Sequence, residues 1–319
     1  MMNAFYKTLV ASAITAATLS TAHAAEPLEV YGKLNVTVQS NDDGDGSVTE
    51  IQSNASRFGV KGGFELSDSL EAFYTIEYQV DTGNSSSDNF TARNQFVGLK
   101  GNFGSFAVGR NDTMLKKSQG KVDQFNDYSG DLKALFKGEN RLAQTATYLT
   151  PKFGDFQVGV TYAAEGDSKQ EENDGFSLAA MYGDSGLKST PVYAAIAYDS
   201  EVAGYDIVRG TVQGKIAGFV LGGMYQQEEA VDGGESIDGY LLSAAYKIQQ
   251  VTLKAQYQDM EDKGDSWSIG ADYSLGKPTK LFAFYTDRTS MGTVEEDDGE
   301  MIDISIDESY FAVGIEHKF

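Results

Sequence analysis

Apolar and polar residues alternate along most of the chain. In Val30–Gln39, Val30, Leu34, Val36 and Val38 share one face, and Tyr31, Lys33, Asn35, Thr37 and Gln39 share the other. A period of two is the signature of a β-strand. Ser56–Leu66 repeats it, with Phe58, Val60 and Phe64 opposed to Arg57, Lys61 and Glu65. Val251, Leu253, Ala255 and Tyr257 alternate with Thr252, Lys254, Gln256 and Gln258; Trp267, Ile269, Ala271 and Tyr273 follow in the next segment. These segments run about 9 to 12 residues, near the length a tilted membrane-crossing strand needs, whereas ordinary strands cluster at about 5 to 6. Aromatics mark the ends of the apolar face at Tyr74, Tyr78, Tyr240, Tyr246, Tyr257, Trp267, Tyr273, Phe311 and Phe319. Girdles of this kind line the two rims of a transmembrane β-barrel.

The connections supply the strand number. Short turns are predicted near 67–69, 102–104, 151–155, 183–190, 214–218, 248–250 and 275–279. Long polar loops are predicted near 40–53, 82–90, 111–140, 165–174, 200–204, 228–236, 261–265 and 289–307. Seven turns and eight loops join sixteen strands, an even number with short connections on one side and long ones on the other. The predicted fold is all-β: a 16-stranded antiparallel transmembrane barrel. If it is right, arginine at lipid-facing Ile269 is costly, whereas arginine at Ser268 is tolerated in a wet lumen.

One stretch breaks the alternation. Asn111–Asn140 exceeds the roughly 12 to 15 residues beyond which a loop is generally functional or disordered. Its acids Asp123, Asp127 and Asp131 recur every fourth residue, interleaved with Phe125 and Tyr128, which disorder does not favour. Asp131 is placed to cap a short helix with Leu132, Leu135 and Phe136 on one face and Gly138 as its stop. The stretch reads as a loop folded back into a water-filled barrel, narrowing it.

Composition changes this picture in three ways. Lys7, the apolar run Leu9–Leu19 and Ala22-His23-Ala24 read as a secretory signal peptide over residues 1–24, leaving 25–319 as a single barrel domain. The apolar run is too short to span a bilayer, and no later segment reaches the required 18 to 20 residues. With no cysteine, neither disulfides nor thiolate metal sites hold the fold. The mean hydropathy of −0.34 would suggest a soluble protein, but a barrel strand shows lipid only every second residue. A net charge of −22 argues against nucleic-acid binding and for cations, with the acidic excess concentrated at Asp42–Asp45, Asp259–Asp265 and Glu295–Asp298. The competing reading of those acids is a solvated exterior that matters little beyond the mouth.

The chain resembles the trimeric general porins of Gram-negative outer membranes. The resemblance lies in the YGK of Tyr31–Lys33, SRFGVKG from Ser56, RNQFVGLKGNFGSFAVGRND over Arg93–Asp112, DQFNDYSGD over Asp123–Asp131, and the terminal YFAVGIEHKF. Between about 154 and 307 only alternation and lengths match. The resemblance implies that the long loop is the third extracellular loop, bent inward as a constriction whose acids face a basic wall across a transverse field. By position, Asp123, Asp127 and Asp131 match the acidic loop residues, and Lys33, Arg57 and Arg93 match the wall cations. Strand parity independently favours Lys33 and Arg57, whereas Arg93 shares parity with Val97 and Leu99 and is inward by resemblance only. Many general porins carry another arginine where this chain has Leu149, after the ATY run, and Arg141 on the polar face of that strand is the candidate replacement. The resemblance also implies a homotrimer, contacts with lipopolysaccharide, and recognition of Phe319 by the outer-membrane assembly machinery.

Rival classes are weaker. Only two histidines occur, His23 in the leader and His317 on apolar parity, so an imidazole-assisted enzyme site has no candidate. A solute-specific channel with a sugar slide would draw on Phe125, Tyr128 and Phe136, although loop aromatics more often pin a loop to its wall. Asn41, Asp43, Asp45 and Gly46 fit the start of a calcium loop, but the twelfth position is Gln52 where a bidentate Glu is needed. No cofactor is expected, and the predicted cargo is ions and small hydrophilic solutes.

Overall fold

The computed structural model describes residues 28–83, 88–166, 170, 173–295 and 301–319, so the leader lies outside the described residues. Its strands are β1 (Glu29–Asp42), β2 (Ser47–Ser53), β3 (Arg57–Ser67), β4 (Leu70–Val80), β5 (Phe90–Gly101), β6 (Gly104–Asp112), β7 (Arg141–Leu149), β8 (Phe156–Ala163) and β9 (Gly175–Gly183). They continue as β10 (Val192–Val202), β11 (Tyr205–Ile216), β12 (Phe219–Ala230), β13 (Ile237–Ile248), β14 (Val251–Met260), β15 (Gly264–Ser274), β16 (Thr279–Glu295) and β17 (Met301–Lys318). Each pairs antiparallel with its sequence neighbours, except that β2 and β3 both pair with β1 and not with each other.

β2 and β3 are one stave with a bulge. Both pair with β1, but Val36 opposes Ser53 while Lys33 opposes Arg57, so one extra residue is inserted on the β2–β3 side. Ala55 takes up the insertion in the left-handed region, at φ 49°. The ring therefore has sixteen staves, as the sequence predicts. It closes where β17 pairs β1, Lys33 opposite Lys318, and Gly32 and Phe319 exchange backbone hydrogen bonds of 3.0 and 3.1 Å. Closure leaves no unpaired sheet edge, the condition for a sheet to sit in lipid.

The two faces invert the burial of a soluble protein. Val30, Leu34 and Val38 point outward and are about half exposed, while Asn35, Thr37 and Gln39 on the same strand are buried inside. Phe219 stacks on Tyr246 at 4.4 Å and Trp267 packs beside Tyr285 at 5.3 Å, as parts of the outer aromatic rim. No described helix is long and apolar enough to cross a membrane.

Several connections differ from their predicted lengths. The loops expected at 200–204 and 261–265 are tight turns, because Ala203 (φ 53°), Gly204 (φ 79°) and Asp262 (φ 58°) adopt left-handed backbone. Those expected at 40–53 and 289–307 are largely ladder, paired out to Asp42–Ser47 and Glu295–Met301. Over 302–307 the period of two persists, Ile302, Ile304 and Ile306 alternating with Asp303, Ser305 and Asp307, so the ladder there follows a strand pattern that the sequence itself carries. The turn expected at 183–190 lies one position on, at 184–191, folded around Asp184.

Candidate functional site: the loop inside the barrel

The 113–140 segment lies against the inner wall, and local chemistry explains each anchor. Thr113 caps a short helix, Met114–Ser118, by accepting the Lys116 N–H at 3.3 Å. Met114 and Leu115 then bury against Ala179, Ala197 and Ile207, with Leu149 packed beside them. Leu149, where an arginine was expected by resemblance, thus serves as apolar seating for the loop. Farther along, Val122, Leu132, Leu135 and Phe136 pack on Met224, Leu241 and Met260. Phe125 and Tyr128 pack on Phe282, Phe284 and Ala312. Asp131 caps the 3₁₀ turn Leu132–Ala134 through the Lys133 N–H, and Gly138 follows in the left-handed region at φ 91°, both as the sequence predicts.

Polar contacts complete the attachment. Fully buried Arg209 on β11 donates to Glu139 (2.7 Å), the carbonyls of Leu115 (3.3 Å) and Lys137 (3.1 Å), and Gln226 (2.7 Å). Glu228 accepts the Lys137 N–H at 3.0 Å and pairs with Lys263. Ser243 donates to the Val122 carbonyl (2.6 Å) and Gln256 to that of Gly130 (2.9 Å). Neither Arg209 nor Glu139 was singled out from the sequence. The usable signal was apolar Met224, Leu241, Phe282 and Phe284 on the otherwise polar inward parity, which traces the loop's footprint. Ser268 lies under that footprint too, 2 % exposed and 2.8 Å from Thr286, so arginine there would collide with the loop and the expectation of tolerance is corrected.

The three loop carboxylates take different positions. Asp123 is buried and accepts the N–H groups of Phe125 (2.8 Å) and Leu132 (2.9 Å), tying the tip to itself. Asp131 accepts from Lys133 N–H (2.9 Å) and from Asp127 N–H (2.8 Å). That second bond steadies Asp127, which holds a left-handed φ of 73°. Of the three, Asp127 alone pairs with wall cations, within 2.9 Å of Lys33 Nζ and 2.8 Å of Arg57 Nη2. Acid and base therefore touch, and the open lumen lies beside this bridge instead of between its partners.

The other two wall cations sit nearby with partners of their own. Arg93 bonds Glu77 (2.6 Å) and Gln79 (3.1 Å); Arg141 bonds Asp112 (3.0 Å) and Asn94 (3.1 Å). Parity failed for Arg93 because β5 is bulged there: Ile76 opposes Gln95 but Tyr78 opposes Ala92, and the extra residue turns Arg93 inward. A comparable shift between Gly109 and Asn111 accompanies Arg141. On the far side, Lys254 and Lys280 share Asp272 at 3.1 and 3.0 Å. Two connected lumenal cavities result, of about 1050 and 1150 Å³. Both are bordered by Lys33, Lys121, Asp127 and Tyr128.

Comparison with known proteins agrees with this architecture. The family model described as Gram-negative porin matches residues 10–293. The chain is 24 % identical to the major outer membrane protein P.IB of Neisseria meningitidis, covering 96 % of this chain and 98 % of that one. It is 28 % identical to outer membrane protein F of Serratia marcescens, over 73 % of this chain and 59 % of the relative. Among solved structures, it superposes on an anion-selective porin from Comamonas acidovorans with a TM-score of 0.68 and 20 % identity, covering 92 and 99 % of the two chains. On the trimer form of OmpT from Vibrio cholerae the TM-score is 0.65 at 16 % identity, covering 92 and 100 %. A closed sixteen-stave barrel with lipid-type outer faces, an inward loop and a family match over most of the chain lead to one conclusion: this chain belongs to the Gram-negative porin family and is a channel-forming protein of the outer membrane.

Proposed function

We propose that the chain is a general diffusion pore for ions and small hydrophilic solutes, preferring cations at its acidic mouth and narrowed by the inserted loop. The observation that carries this reading is the Asp127 bridge to Lys33 and Arg57, held in place by a loop pinned along one side of the lumen. A narrow water passage with poorly polarisable walls concentrates the field of such charges. The Debye length at physiological ionic strength, about 8 Å, is comparable to the gaps involved, so screening there is incomplete. Arg93 and Arg141 extend the charged wall, whereas Asp123 and Asp131 contribute by shaping the loop tip. The sugar-channel alternative lacks support, since Phe125, Tyr128 and Phe136 are 0, 8 and 2 % exposed and offer solute no stacking face.

In this reading residues 1–24 are a leader removed on export, and the barrel works as a homotrimer among lipopolysaccharide. Phe319, at the closing seam and 57 % exposed, is the residue the assembly machinery reads. Reconstitution in planar bilayers tests the proposal: the purified protein should form stepwise channels with a cation preference in dilute salt. Liposomes that stay sealed to salts and small sugars would end it.

A further inference from the structure

Charge is segregated along the pore axis. The whole chain carries −22, yet the first cavity is bordered by nine Lys or Arg against six Asp or Glu, and the second by seven against four. The excess acids sit at loop tips: Asp43, Asp45, Asp232, Glu235, Glu261 and Asp262 are all exposed at the mouth. Inside, the wall cations Lys33, Arg57, Arg93 and Arg141 are each matched to a carboxylate within 3.0 Å. Among the described residues, the loop cations Lys117 and Lys121 make no hydrogen bond or ion pair with a carboxylate, although both border the first cavity. Asp112, the carboxylate whose charge acts on Lys117, is already shared by Lys116 at 3.5 Å and Arg141 at 3.0 Å. Lys121 also borders the second cavity, so it lies on the route through either.

We propose that Lys117 and Lys121 make the throat an anion filter in series with the cation-attracting mouth, so that the pore's preference reverses from cations in dilute salt to anions in concentrated salt. The inference rests on the diffusion-pore reading above. Its physical basis is unequal screening. Exposed tip carboxylates act over distances that the Debye length governs, about 30 Å at 0.01 M and about 3 Å at 1 M. Concentrated salt therefore silences the mouth. Half-buried Lys117 and exposed Lys121 border the first cavity itself, where the loop on one side and the wall on the other leave counter-ions less room to intervene than at the exposed tips.

The test is the reversal potential of single channels under the same KCl ratio at about 0.01 M and about 1 M mean concentration, the limits of the screening range above. Opposite signs are expected, cation-preferring in dilute salt and anion-preferring in concentrated salt. In the double variant Lys117→Gln with Lys121→Gln, the anion preference in concentrated salt should be lost and the cation preference in dilute salt retained. Arginine at both positions should keep the reversal, and unitary conductance reports that each variant has assembled. One sign at both concentrations, or a reversal that survives both glutamines, overturns the throat filter while leaving the pore reading intact. Absence of conductance in the unmodified protein overturns both.

Discussion

At the scale of single residues, the loop acids differ in what their loss should do. Asp127→Asn removes both ion pairs and leaves Lys33 and Arg57 unmatched in the lumen. The expected outcome is a shift of reversal potential toward anions with little change in stability, since partly exposed pairs contribute about 0 to 1 kcal/mol. Asp131→Ala instead removes a helix-type cap and the tether on the left-handed Asp127 backbone, and should cost about 0.5 to 2 kcal/mol, read from urea unfolding in detergent. Asp184 offers a pH test outside the membrane. The N–H groups of Gly186, Lys188 and Ser189 hold its carboxyl down to about 2. A depressed pKa stabilises the folded turn above the unfolded value of about 3.9 and loses that support as pH falls through about 2. A carboxyl signal followed by NMR should titrate near 2; titration near 4 would mean the turn is open in solution.

At the scale of elements, the loop is held by a strand residue. Arg209 is fully buried and touches four loop or wall groups, including Glu139. Arg209→Ala leaves Glu139 buried without its partner, a change of about 3 to 5 kcal/mol. The barrel ladder itself is untouched, so the loss should fall on the loop's attachment. Trypsin should then cut near Lys133 or Lys137, and channel currents should become noisier. A protected loop with steady currents would mean that the three apolar contacts suffice without the arginine.

At the scale of the whole molecule, the inside-outside assignment governs tolerance. Arginine at Ile269, which is 52 % exposed on the outer face, should cost about 2 to 4 kcal/mol if it sits near the bilayer midplane. Arginine at Thr252, which borders the second cavity away from the loop's footprint, should cost close to nothing. Refolding yield into lipid vesicles measures both. Equal penalties would contradict the barrel's facing.

Sequence alone determined the barrel, its sixteen staves, the inner and outer faces of Val30–Gln39 and Ser56–Leu66, and the loop with its Asp131 cap. Each of these follows from near-neighbour rules, a period of two or a cap within three residues, that short stretches of chain obey independently. The rest required the ring to close. Arg93 faces the lumen because of a bulge set by its partner strand; Arg209 finds Glu139 seventy positions away. Asp123, Asp127 and Asp131 look equivalent in sequence, yet only Asp127 pairs with the wall cations Lys33 and Arg57. The same holds for charge: composition reports one sum, −22, whereas the fold sorts acids to the rim and cations to the throat. Which charges meet depends on distances across the lumen, and those exist only once the staves are joined.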